Sequence, residues 1–485
     1  MASLIPDPQS TLHYAFYPRN VAVVGASDQV LSAGYHFLKH LLDLGFTGGI
    51  YPVHPKKDRI LGVKAYPALR DIPGDVDLVI CCVATDRVLP LLEECRLKNV
   101  KTVHLFTARL GETGRPQALE LEKQIKDTAA RLGVGLIGPN CMGIYCPESK
   151  IAFGYGMPAE PGSIGLVFQS GGASSILVQS GALLGLRFSK VLSYGNAMQV
   201  DESDILDYLS NDAKTAVIGA YFEGVRDGRR FMDSLSAAAR KKPVIAIKGG
   251  RSKAGTRAVA SHTAAVAGSH NIWDTAFAQA GVMQVRDVDE MIGLLCMFNG
   301  LPPVAGRRVG IIGGGGGKCV IAADLAEEAG LVVPPLSDDV KSRLKEMVPT
   351  LWDWIGNPID FSIWGDEAHK AAQVRQLMAE NPGFDCLVMH LSDDNPLDDE
   401  WWTAIVRADV DSIIEIHKQK TKPVVAVLSS ARPGYEDLQN IRWRTISEQR
   451  TKLAASRVPT FDTTAEAMRA LAKYVGYWER KRYNP

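Results

Sequence analysis

The sequence predicts an α/β fold of three consecutive doubly wound units. Three observations predict it. Short apolar, β-branched runs alternate with helix-like stretches along most of the chain. Several of these runs end in glycine-bearing turns just before a helical pattern, and two Gly/Pro-rich breaks divide the series into three. Strand-like runs separated by helical segments imply parallel sheets with crossover helices.

The first series runs from Asn20 to Ile144 as VAVVGAS, GGIYPVHP, DLVICCVA, KTVHLFTA and VGLIGPN. GYGMPAEPGS then marks a boundary near residues 148 to 162. The second series is IGLVFQSGG, TAVIGAYFEGV and KPVIAIKGG, with ASSILVQSGALLGL and ESDILDYLSN as helices. After the break NGLPPVAGRR, the third set is RRVGIIGGGGG, FDCLVMHLS and TKPVVAVLSS. The expected units are therefore 1–148, 149–302 and 303–485. A chain of 485 residues fits roughly two to four domains. No solenoid repeat is present.

Composition narrows the function classes. Hydrophobic residues make up 46% and charged residues 22%, with 54 basic against 54 acidic side chains, as in globular proteins without a nucleic-acid or anionic-membrane bias. The opening MASLIPDPQSTLHYAFYPRN has no basic region followed by an apolar one, so no signal peptide is expected. No run reaches the roughly 18 to 20 apolar residues of a membrane span. The eight cysteines form no CxxC framework, and Cys81, Cys82 and Cys386 sit in apolar strand-like runs. A reducing cytoplasm is expected, and no metal site.

The turn Gly25-Ala26-Ser27 follows the first strand, with Gly34 near the start of the next helix, so its amides are placed to meet a phosphate. It is not GxGxxG, because Ser27 replaces the second glycine. A dinucleotide fold also expects an acid after the second strand for the ribose hydroxyls. Here that strand ends His54-Pro55-Lys56-Lys57. Ammonium groups match a phosphate instead, which leaves CoA and NADP as ligands, with a solvated lysine pair as the plain alternative.

GAS at Gly25, YPVHPKKDRILGVKAYPAL, GPNCMGI, FQSGG, SYGNAMQVDESDILDYL and SHTAAVAGS follow one another from Gly25 to Ser269. In this order they resemble the α-type part of the nucleotide-diphosphate-forming (ADP-forming) acetyl-CoA and acyl-CoA synthetases, relatives of succinyl-CoA synthetase. The resemblance implies an N-terminal Rossmann-like CoA-binding domain followed by two flavodoxin-like ligase domains. It places Gly25, Ala26, Ser27 and Lys56 at the CoA phosphates and ribose, Val83, Ala84 and Thr85 along its adenine or pantetheine side, and Asn140 near the thiol end.

By the same resemblance His262 carries a phosphoryl group and Glu223 accepts its ring N–H. A neutral imidazole is a competent nucleophile near pH 7. The sequence puts His262 in a small-residue loop after PVIAIKGG and Glu223 at a strand end, with His270 beside a helix in a structural role. A lone histidine is otherwise more often structural. Gln169-Ser170-Gly171-Gly172 and Gly313 to Gly317, the latter including Gly314, Gly315 and Gly316, each join a strand to a helix whose N-terminus suits a phosphoryl group. A tight turn is the plain alternative for both, and the five glycines depart from the family's loop, which usually has Ala or Asn near its start.

The implied reaction joins a carboxylic acid to CoA with ATP, through an acyl phosphate and phospho-His262, forming ADP and phosphate. ATP or ADP and Mg2+ belong to an ATP-grasp module. The three units account for the chain, so that module is expected on a separate β-type subunit of a hetero-oligomer. An NADP-linked oxidoreductase would leave SHTAAVAGS unexplained. A CoA-binding paralogue without turnover would not need His262 and Glu223 together. Trp352, Trp354, Trp364, Trp401 and Trp402 weight the third unit with aromatics, either as an acid pocket or as core and interface.

Overall fold

The computed structural model describes residues 7–263, 270–361, 370–391, 398–429 and 439–483. They divide into two compact units. One holds Met1–Ala182 and Leu186–Met291, the other Leu183–Gly185 and Ile292–Pro485.

The first unit contains two sheets. Strands Asn20–Val24 (β1), Gly49–Val53 (β2), Leu78–Cys81 (β5), Thr102–Leu105 (β6) and Gly135–Ile137 (β7) form a parallel sheet in the order β2-β1-β5-β6-β7. Arg59–Ile60 (β3) and Val63–Lys64 (β4) make a small antiparallel pair beside it. All four residues of β5 and of β6 are buried, as expected for strands covered on both faces. The first crossover helix, Ala33–Leu44, begins where the Ser32 hydroxyl accepts a bond from the Tyr35 N–H and stops at Gly45 with φ +76°.

The second sheet comprises Gly143–Tyr145 (β8), Ile164–Phe168 (β9), Phe188–Ser193 (β10), Val217–Phe222 (β11), Val244–Lys248 (β12) and Met283–Val285 (β13). Its order is β13-β12-β11-β9-β10-β8, parallel except for β8. Because β8 pairs Gly143 with Ser193, the chain joins this sheet before the Gly/Pro-rich stretch where a boundary was expected. The motif VDESD is the start of helix Glu202–Asn211. Asp201 accepts from the Ser203 and Asp204 N–H groups, Asp204 reciprocates to Asp201 N, and Arg230 pairs with both carboxylates.

The second unit is built on Val309–Ile312 (β14), Cys386–His390 (β15), Val424–Val427 (β16) and Thr460–Phe461 (β17), parallel and adjacent in chain order. Single bridges from Arg308 to Val332 and from Ile312 to Ile359 extend its β14 edge. Its core includes Ile312, Leu377, Met389, Trp402, Val406 and Ile413 in one buried cluster. No helix among the described residues is long and apolar enough to cross a membrane.

Candidate active site

In open α/β sheets, ligands bind beyond the carboxyl ends of the strands where the winding direction reverses. In the first sheet that point lies between β1 and β5. Gly25 leaves β1 with φ +87°, and a Cβ there would stand 2.8 Å from the Cys82 carbonyl oxygen, so only glycine lets the two strand ends close. A Cβ on Gly34 would be 2.0 Å from the Gly25 oxygen, which places the crossover helix directly against this turn. Ala26 is buried, and the Ser27 hydroxyl accepts from the Gln29 N–H at 3.0 Å.

Two cavities follow one another along this edge. One of about 610 Å3 is lined by Gly25, Ala26, Ser27, His54 and Arg87. The next, of about 1040 Å3, is lined by Thr85, Arg109, Asn140, Ser170, Gly171 and Gly172. Cys82, Val83 and Ala84 line both, so the two share a wall.

The lysines behave differently from their sequence reading. Lys56 is exposed and lines neither cavity, its backbone N–H donating to His54 Nδ1 at 3.1 Å, while the Lys57 ammonium pairs with Asp28. Arg87 supplies the cation in the smaller cavity instead. Its signal in the sequence was a basic residue in VATDR, just past the end of β5.

GPNCMGI and SYGNAMQ interlock at the larger cavity. Asn140, at φ +57°, donates its backbone N–H to Thr107 O at 3.0 Å and its amide to Asn196 Oδ1 at 3.4 Å. In return Asn196 N reaches Pro139 O at 3.0 Å and Met198 N reaches Gly138 O at 2.9 Å. Beneath them, buried His104 donates from Nε2 to the Cys141 carbonyl at 3.1 Å, and burial lowers its imidazole to about 4. It is therefore neutral near pH 7.

The reversal point of the second sheet lies between β9 and β11. Gln169, buried after β9, accepts the Glu223 N–H at 2.8 Å and the Gly224 N–H at 3.3 Å through Oε1. Ser170 Oγ accepts from Ala173 N at 3.3 Å at the start of helix Gly171–Leu183. Glu223 follows β11 as expected and is buried, and the Tyr221 hydroxyl donates to its Oε1 at 3.3 Å. A Cβ on Gly249 would lie 2.5 Å from that hydroxyl, so glycine keeps the space it occupies.

Lys248, at the end of β12, was not singled out from the sequence. Its buried ammonium donates to the Glu223 carbonyl at 2.8 Å and to the Gly249 carbonyl, and lies 5.1 Å from the centre of the Trp273 ring. Burial lowers it to about 8, against the opposing pull of the Glu223 carboxylate.

His262 is not in a loop. It belongs to the last turn of helix Lys253–Thr263, whose Ala-containing sequence KAGTRAVASHT sustains helix up to the motif. The helix packs against the short turn Gly111–Thr113, between Arg109 and Arg115 at the rim of the larger cavity. The His262 side chain lies outside the described residues, as do residues 264–269 of SHTAAVAGS. His270 opens helix His270–Ala280, and its side chain is likewise outside them.

Comparison with known proteins gives this arrangement a context. Residues 19–147 match the family described as CoA binding domain, and residues 161–298 the succinyl-CoA ligase like flavodoxin domain. The subunit α of acetate–CoA ligase [ADP-forming] II from Pyrococcus furiosus is 36% identical over 380 residues, covering 78% of this chain and 81% of that one. The acetate–CoA ligase [ADP-forming] II of Archaeoglobus fulgidus is 31% identical over 98% of this chain and 68% of its own. The dinucleotide forming acetyl-coenzyme A synthetase 1 of Ca. Korarchaeum cryptofilum, solved with phosphate and ADP, superposes with a TM-score of 0.81 at 28% identity, covering 97% of each chain. The chain belongs to the ADP-forming acetate–CoA ligase family.

In this family member the first sheet is thus a CoA-binding domain and the second a ligase-type flavodoxin domain. The glycine loop of the second unit stands by itself at the reversal point of its own sheet, between β14 and β15. Gly313 and Gly314 have φ of +90° and +92°, and Gly315 caps helix Gly316–Glu328. A Cβ on Gly313 would be 2.4 Å from His390 O, and one on Gly316 would be 3.2 Å from Asp360 Oδ2. A carboxylate therefore already lies beside this helix start, where the peptide dipoles favour an anion.

The described tryptophans of this ligase-family chain do not assemble one pocket. Trp402 is buried in the core and Trp352 packs against it, whereas Trp354 and Trp401 are 73% and 64% exposed. Trp364 lies outside the described residues. Among the described residues no cluster of His, Cys, Asp and Glu is arranged to hold a metal ion.

Proposed function

We propose that this chain is the CoA-binding, phosphohistidine-carrying α-type part of an acyl-CoA synthetase that forms a nucleoside diphosphate, working with an ATP-grasp module on a partner chain. The observation that carries the reading is the shared Cys82–Ala84 wall. It makes one path from the Gly25 turn to the helix start at Ser170–Gly172, where Gln169 fastens Glu223.

Along that path the Gly25, Ala26 and Ser27 backbone meets the CoA phosphates, with Arg87 inside and Lys56 on the rim as cations. Val83, Ala84 and Thr85 flank the adenine or pantetheine, and Asn140 borders the thiol. Gln169, Ser170, Gly171 and Gly172 hold the phosphoryl group of an acyl phosphate, and Glu223 accepts the His262 ring N–H. Gly314, Gly315 and Gly316 form the second helix start assigned to the phosphohistidine. The domains are 1–148, 149–302 and 303–485.

In the cycle, phospho-His262 gives its phosphoryl group to a carboxylate. The CoA thiol then attacks the acyl carbon, releasing phosphate and acyl-CoA. The protein's work is mainly positioning and charge stabilisation on the transferred oxygens. A separate nucleotide-binding chain is supported by the Pyrococcus relative being a subunit α.

Reconstitution tests this. With ATP, CoA and a panel of small carboxylic acids, the purified chain alone should make no acyl-CoA, and adding an ATP-grasp subunit should produce it. Synthesis by the single chain overturns the division of labour.

A further inference from the structure

We propose that Arg109 is a further catalytic residue, whose guanidinium bears on the phosphoryl oxygens of the acyl phosphate as they pass between the acid and His262. This rests on the function proposed above and extends it to a residue no sequence motif singled out.

Four observations converge on it. Arg109 lines the same cavity as Asn140 and the Ser170–Gly172 helix start, the place assigned to the phosphoryl group. Neither its guanidinium nor that of Arg115 makes an ion pair or hydrogen bond among the described residues, in contrast to Arg226 and Arg230 in the same unit. Its backbone sits at φ +70°, a region a residue with a side chain rarely occupies without compensation, and such outliers cluster at functional sites.

The compensation is the fourth observation. Glu112 accepts the Arg109 N–H, the Leu110 N–H at 3.1 Å and the Asn196 amide at 2.9 Å, while Glu122 accepts the Gly111 N–H at 2.8 Å. Arg226, three residues past Glu223, donates to Asn196 O at 2.9 Å. The turn holding Arg109 is thereby tied to the strand end holding Glu223, and the helix that carries His262 packs on that same turn. The backbone that carries the Arg109 guanidinium is held in place in this way, while the guanidinium itself is left open to an anionic group in the cavity.

The step balances without a further reactant. The free ring nitrogen of His262 attacks phosphorus, and the P–N bond forms as the bond from phosphorus to the acyl oxygen breaks. That electron pair leaves on the carboxylate. The other ring N–H stays bonded to Glu223, and Arg109 neutralises the equatorial oxygens.

Acetyl [32P]phosphate, which needs no nucleotide, is the probe. Arg109→Gly is a clean deletion because glycine accepts the φ found here. It should fold normally and bind CoA within about twofold of wild type, yet take up label about 100-fold more slowly, the loss typical of one removed charge-stabilising donor. Arg109→Lys should recover part of the rate. Wild-type labelling that is lost in His262→Ala, with unchanged labelling of Arg109→Gly, overturns this inference and leaves the proposed function standing. A large loss of CoA affinity with normal labelling makes Arg109 a CoA contact and overturns it too. No labelling of wild type by acetyl phosphate or by the labelled acyl phosphate of any other acid in the panel removes both.

Discussion

Replacing Gln169 by alanine should loosen the strand end that holds Glu223. The Gln169 side chain is 6% exposed, and its oxygen is the acceptor for the Glu223 N–H at 2.8 Å and the Gly224 N–H at 3.3 Å. A buried donor left without a partner costs about 1 to 3 kcal/mol. The longer bond is the weaker of the two, so the pair sums to about 2 to 4 kcal/mol. The loss should appear as faster hydrogen exchange in peptides spanning residues 219–226 and as slower phosphoenzyme formation. CoA affinity should change little, since Gln169 is not in the smaller cavity. Gln169→Glu keeps an acceptor for both N–H groups and should restore most of the protection. If Gln169→Ala exchanges at the wild-type rate across these residues, the two bonds do not hold Glu223 and the reasoning fails.

Gly25→Ala places a Cβ 2.8 Å from a backbone oxygen at φ +87°, so calorimetry should find CoA binding weakened at least about tenfold. Arg87→Ala should cost about 1.5 to 3 kcal/mol of CoA affinity as a charge-assisted contact, and Lys56→Ala less, because Lys56 lines neither cavity. Equal losses would restore the lysine as the main phosphate contact. A thermal-shift series should show stabilisation by CoA, reaching about 2.7 kcal/mol at a hundred times its Kd, and little by NADP. Folded His104 titrates near 4, below its ordinary 6.5, so between those values the unfolded chain binds more protons. That contribution is complete above pH 6.5 and is lost as pH falls towards 4. His104→Gln should therefore lower the acid-side slope by up to about 1.4 kcal/mol per pH unit. Comparing the two proteins isolates this term, since Glu202, pushed up to about 7 by burial, acts with the opposite sign in both. Identical slopes count against a buried neutral His104.

The strand series and its glycine turns were legible because both are local. VAVVG, DLVICC, IGLVF, VIGAYF and VIAIK each became a buried strand, and Glu223 stands at a strand end as its place after YF implied. What was not legible depends on partners distant in sequence. GPNCMGIY reads as the tail of the first series, but β8 pairs antiparallel with β10, fifty residues away. The Lys56-Lys57 pair announced a phosphate contact, yet side-chain direction in a turn is not encoded by spacing. Lys57 turned to Asp28, and Arg87 took the cavity. The Glu112 bracing of Arg109 joins residues near 110 to Asn196, and no periodicity marks such a pairing.

Phosphoryl transfer through His262 is followed by incubating the chain with an ATP-grasp partner and labelled ATP and tracing the protein-bound label through acid and base. Wild type should form an acid-labile, base-stable phosphoenzyme, as a phosphoramidate does. Glu223→Gln should form it slowly, because an orienting carboxylate is worth up to about 10⁴ in rate. His262→Ala should form none while binding CoA normally. If His262→Ala takes up label at the wild-type rate, another residue is the carrier and the mechanism set out above is wrong.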